Sequence, residues 1–226
     1  MKKRFTSALV LVAGLACVLL ITACCPISLY PLSDPQNATY DKRLEGSWRG
    51  RSDDGATGFL HISRMEGHLT QVIFIENKED GALKCSVLAM FPTAIDDVQY
   101  MNIIFDEVST GIPKDIKGYV FAKYEFTENN NYLLFSIMEM RTVARAIKSN
   151  RLKGTLKYKI PVPAIENHKK PADSESLDSI QCVTIKDTPE NMIKFIKTTD
   201  PKELFTNPVK LERQDGDTVM GTPLSN

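Results

Sequence analysis

The chain has 226 residues, 42% of them hydrophobic and 25% charged, and its formal net charge is zero. These values exclude a disordered tail, a collagen-like repeat, a polytopic membrane protein and a strongly basic nucleic-acid binder. The charge is unevenly spread, however: Lys2, Lys3 and Arg4 stand at the extreme N-terminus, and the residues after position 23 carry 25 basic against 28 acidic side chains. That remainder is the size of one domain.

Met1 to Ser7 is basic, and the sixteen residues Ala8 to Ala23 are apolar apart from small Gly14 and Thr22. A positive n-region followed by such a run reads as an export signal. As a helix the run would rise about 24 Å, short of the roughly 30 Å that a membrane-spanning segment needs. It ends in Ile21-Thr22-Ala23-Cys24, which resembles the lipobox of bacterial lipoproteins. The resemblance implies cleavage after Ala23, a diacylglyceryl thioether on Cys24 and an acyl group on the new amine. Cys17 is a poorer fit, because Gly14-Leu15-Ala16 departs from the pattern and leaves too short an apolar run. Two or three acyl chains hold a protein on a bilayer far better than one. Position 25 is Cys and not Asp, which by the same resemblance points to the outer membrane, periplasmic face, in place of inner-membrane retention.

Export also places Cys25, Cys85 and Cys182 in an oxidising compartment. Cys85 and Cys182 lie in strand-like segments and are open to two readings, a disulfide or two buried thiols.

Pro26 to Tyr40, with Pro26, Pro31 and Pro35, reads as a tether between lipid and domain. From Leu44 onward the chain breaks into short runs with period-two alternation or β-branched and aromatic enrichment. They cover 44–52, 57–64, 68–77, 83–91, 98–106, 117–127, 132–140, 152–160, 180–186 and 208–213. Asp53-Asp54-Gly55, Glu79-Asp80-Gly81 and Asn129-Asn130-Asn131 supply turns between them. Close spacing predicts an antiparallel meander, since parallel units need crossovers of a dozen or more residues. Helices are expected over 142–149, where Val143, Ala146 and Ile147 share a stripe, and from Thr188-Pro189-Glu190 to about Lys197, burying Met192, Phe195 and Ile196. Asp200-Pro201-Lys202-Glu203 starts a short third turn. Residues 161–179 read as an exposed excursion and 214–226 as a frayed tail. The domain proper is expected over 41–213.

Gly46-Ser47-Trp48 opens the first strand just after Lys42-Arg43, and resembles the start of lipocalin and lipocalin-like barrels. The resemblance implies that Trp48 closes one barrel end under a basic side chain from the last strand, where Arg213 stands. The lipocalin Thr-Asp-Tyr motif is missing, and about ten strands are read where a lipocalin has eight. Trp48 therefore fits either a barrel plug or an ordinary core aromatic. The layout from Asp41-Lys42-Arg43-Leu44-Glu45-Gly46-Ser47-Trp48 through Arg151-Leu152-Lys153-Gly154 to Glu203-Leu204-Phe205 also resembles a group of bacterial lipoproteins with no assigned activity. The fold class expected is mainly β: an antiparallel meander sheet or lipocalin-like barrel with two or three short α-helices.

Catalytic chemistry is thinly supplied. His61 and His68 flank a hairpin but lack metal-site spacing, and His168 falls in the excursion. Asp96-Asp97 reads as a turn, and Lys153, Lys157, Lys159, Lys169 and Lys170 as a solvated face. No phosphate-cradling loop, nucleophile elbow or Cys-x-x-Cys is present. No catalytic residue, metal or cofactor is assigned. The expected role is a lipid-anchored envelope protein binding an apolar ligand or an envelope partner. The alternatives are a scaffold or assembly factor without a small-molecule site and, third, a hydrolase or isomerase on a lipocalin-like barrel.

Overall fold

The structure is a computed structural model describing residues 25–51, 57–77, 83–105, 118–158 and 177–214. The expected export signal, Cys24, His168, most of the expected 161–179 excursion and all but the first residue of the tail expected over 214–226 lie outside these residues.

Eight antiparallel strands close into a barrel of lipocalin-like form. In chain order they are β2 (Gly46–Arg51), β3 (Thr57–Arg64), β4 (Thr70–Asn77), β5 (Leu83–Ile95), β6 (Val98–Phe105), β7 (Gly118–Thr127), β8 (Tyr132–Ile137) and β11 (Val209–Gln214). The first seven pair with their chain neighbours, and β11 closes the wall between β8 and β2. Alternation decides what goes inside, because successive side chains of a strand point to opposite faces. Trp48, Ile62, Val72, Leu88, Met90, Met101, Ile103, Val120, Ala122, Tyr124, Leu133 and Leu211 are buried together as the interior cluster.

The described residues of 138–208, between the seventh and eighth barrel strands in sequence, build an annex on the outside of the wall. It contains α1 (Met140–Lys148), β9 (Gly154–Tyr158), β10 (Ile180–Ile185), α2 (Pro189–Thr198) and α3 (Pro201–Leu204). Its own core joins Val143, Leu152, Val183, Ile185, Met192 and Phe195 to Tyr100 and Phe121, which face outward from β6 and β7. Thr188 caps α2 and Asp200 caps α3, each with Pro at the first position. Met192, Phe195 and Ile196 are the residues α2 buries. Helix α1 begins two residues before the periodicity suggests, because the Glu139 carboxylate accepts from the Thr142 amide at 2.8 Å.

Two expectations are corrected. The segment 26–40 is part of the fold and no tether. Ile27–Ser28 forms a short strand, β1, parallel to β10 and antiparallel to β7. Leu32 is buried, and its amide donates to the buried Asn102 side chain at 2.8 Å, while the Ser33 and Thr93 hydroxyls meet at 2.6 Å. The described fold thus already includes residues 25–40, ahead of the domain start expected at 41. The disulfide reading also fails. Cys85 is an exposed thiol on β5 and Cys182 a half-buried thiol on β10, both unbridged. Along the sheet their strands are four inter-strand steps apart, so no neighbouring-strand pairing brings the two together.

Candidate functional site: an apolar cup closed at one end

The barrel is stoppered at the end where β2 begins. Trp48 is fully buried and its indole N–H donates to the Leu44 carbonyl at 2.8 Å. Arg213, its register partner on β11, lays its guanidinium 4.3 Å from the ring centroid. The same guanidinium donates to the carbonyls of Glu45 (2.8 Å), Asn130 (3.2 Å) and Arg43, so it ties three chain segments across the opening. The structure therefore brings Trp48 and Arg213 together. Gly46 completes the arrangement: its φ is +124°, and a Cβ there would stand 3.1 Å from the Arg213 guanidinium.

Around this stopper the 3-10 turn Lys42–Leu44 is capped by Asp41, which accepts from the Arg43 amide at 3.0 Å and pairs with the Arg43 guanidinium at 2.8 Å. Arg43 lies over Phe126, 4.7 Å from its centroid, and Phe126 in turn packs 5.9 Å from Trp48. The Tyr124 hydroxyl donates to Asp41 at 3.1 Å. Burial, followed by the neighbouring carboxylate, pushes that hydroxyl far above its ordinary range, so it stays a neutral donor.

Above the stopper lies a cavity of about 330 Å³, within the usual size of small-molecule sites. Its wall is apolar, with Leu60, Phe74, Leu88, Met90, Met101 and Ile103 among the lining residues. Two inward positions make the room: Gly50 and Gly58 face each other in register on β2 and β3, and both line the space. A Cβ at Gly50 would already stand 3.0 Å from the Leu211 side chain. Arg51 and Glu139 are the charged residues on the lining, and Glu139 is committed to capping α1. Cys25 also lines the cavity, at the place where β8 leaves the edge of β7 and β1 takes over.

The remaining candidates are scattered. His61 is exposed and meets the Ser47 hydroxyl at 3.1 Å, and His68 is exposed in the next turn. Asp96 has a positive φ in the β5–β6 turn and pairs with Lys197 of α2 at 2.7 Å, so this turn ties barrel to annex. Lys153 and Lys157 belong to β9 or its approach, on the annex and away from the cavity, while Lys159, Lys169 and Lys170 lie outside the described residues. Among the described residues no cluster of three metal-ligating side chains occurs, and no helix is long and apolar enough to cross a membrane.

No protein-family model, curated protein or solved structure matches this chain. The fold and the site define it by class alone, as a lipocalin-like barrel with one stoppered end, one apolar cup and an external annex.

Proposed function

We propose that the chain is a lipid-anchored protein of the bacterial envelope, held at the periplasmic face of the outer membrane through Cys24, whose barrel holds an apolar ligand. The observation that carries the ligand reading is the cavity, apolar-walled and sealed below by Trp48 and Arg213. The anchor rests on the Ile21-Thr22-Ala23-Cys24 sequence. Native mass spectrometry of residues 25–214, expressed in a periplasm, tests the ligand. An apolar adduct lost on denaturation is expected, and a bare mass that also takes up no fluorescent fatty acid would overturn the reading. Labelled palmitate should enter the wild type and not Cys24→Ala; equal labelling of both would remove the anchor.

A scaffold role has one observation in its favour. Phe59, Ile75 and Val87 are exposed on adjoining strands of the outer wall, with Phe59 paired to Ile75 and Ile75 to Cys85. An apolar surface of this kind marks partner sites. Loss of a specific envelope crosslink in Phe59→Asp with ligand binding intact would assign the function to that wall.

A further inference from the structure

We infer that the barrel cavity is the seat of one of the chain's own acyl chains, carried by Cys24. The inference deepens the function proposed above and rests on lipidation of Cys24.

Cys25 lines the cavity, and Ile27, two residues on, belongs to the barrel's interior cluster. Both side chains lie at the barrel interior, so the N-terminal segment enters the fold at the cavity wall. The Cα of Cys24 is one peptide away, about 3.8 Å from that of Cys25. From Cys25 onward the segment is fixed at once. Ser28 is fully buried in register with Tyr119, the Leu29 amide donates to the Ile185 carbonyl at 3.0 Å, and Leu32 is held by Asn102. Gly118 marks how close the approach is, since a Cβ there would fall 2.4 Å from the Ser28 carbonyl oxygen.

An acyl group on residue 24 is therefore tethered at the edge of an apolar space of matching chemistry. Tethering turns its entry into an intramolecular event, with an effective concentration in the millimolar range or above that a free ligand must compete against. The volume limits the number. About 330 Å³ takes on the order of ten methylene groups, if each fills roughly the 30 Å³ of a water molecule. That is most of one chain and not two, so the remaining chains stay in the bilayer as the anchor.

The test uses the full chain, fed in cells with a fatty acid bearing a photoreactive diazirine near its methyl end and purified in its native bilayer as polymer-bounded discs. After irradiation, peptide mapping is expected to find crosslinks within the same chain at Leu88, Met90, Met101 or Ile103. Crosslinks confined to phospholipid, on protein whose Cys24 carries the label, would overturn the seat and leave the anchor standing. Absence of the label from Cys24 would overturn both. Val72→Phe and Leu88→Phe, each adding volume to the wall, are expected to cut the intrachain yield at least fivefold with incorporation at Cys24 unchanged. An unchanged yield in both folded variants would also refute the seat.

Discussion

At the scale of single residues, Arg213 does two jobs with one group. Its face covers the Trp48 indole, and its N–H groups satisfy carbonyls from the approach segment and from the β7–β8 turn. Replacing it leaves an uncovered ring and three carbonyls without their charged donor, so Arg213→Ala is expected to cost about 2 kcal/mol in urea denaturation. Arg213→Lys should recover little, because an ammonium cannot stack flat and reach three acceptors together. Trp48→Ala is expected to cost more, about 3–5 kcal/mol, as for other large core aromatics. Asp41 gives a pH dependence. Burial alone would raise its carboxyl, but hydrogen bonds from the Arg43 side chain and backbone, the Arg43 charge and the Tyr124 hydroxyl hold it below its ordinary value. A carboxylate depressed in the folded state contributes stability above the unfolded pKa of about 3.9 and loses it as pH falls through the folded value. The stability gap between wild type and Asp41→Asn should accordingly be full at neutral pH and close below about pH 4. A gap independent of pH would show that Asp41 acts only as a cap and not as a charge.

At the scale of elements, the sequence was most readable where periodicity is long. All ten strand-like runs and all three helical segments appear, with boundaries shifted by a few residues at most. What periodicity cannot convey is which sheet a strand joins. Alternation in Leu152 to Ile160 looks the same whether the strand is a barrel stave or the outer strand of an annex, and this is why ten strands were read against an eight-stranded barrel. Strand β1 was illegible for a different reason: two residues carry no period, and the prolines on either side look like linker. Its docking is decided by distant groups, the Asn102 amide and the bare backbone at Gly118, which no local pattern announces. The cup was half legible. Gly46-Ser47-Trp48 pointed to its closed end, whereas the room inside comes from Gly50 facing Gly58, a pairing that exists only once the register is known. The docking of β1 can be tested at its tightest point. Gly118→Val should expel the segment and open new protease sites between residues 26 and 40 while leaving the barrel core resistant; an unchanged digestion pattern would show that the approach is not limiting.

At the scale of the whole molecule, the barrel and its annex share walls and not merely a linker. Tyr100 and Phe121 face outward from barrel strands into the annex core, and Asp187 at the annex joins the Lys153, Thr188 and Asn191 N–H groups around one buried carboxylate. Burial would raise this carboxyl, and those bonds with the Lys153 charge bring it below its usual range instead. Removing residues 209–226 should therefore do more than shorten the barrel. It exposes the ladder edges of β2 and β8 that β11 covers, and such edges pair with other chains. Size-exclusion chromatography is expected to show oligomers and aggregates for the truncated chain and a discrete species for the full one.

The place of β11 also sets a timetable. Arg49 and its ion-pair partner Glu212 are 163 residues apart in sequence, so the joint that completes the wall carries one of the largest loop-closure costs in the molecule. Folding dominated by such distant pairings is slow, and this one cannot even begin until the last stave exists. The annex helices, by contrast, need only near neighbours to form, although β10 also waits on the N-terminal strand β1. A chain threaded N-terminus first through an export channel would present its signal and lipidation site long before its cup had a fourth side. Under the proposed lipidation, modification of Cys24 would precede closure of the barrel, and an acyl chain that ends inside the cup would arrive before the door is hung, built in as the wall closes around it.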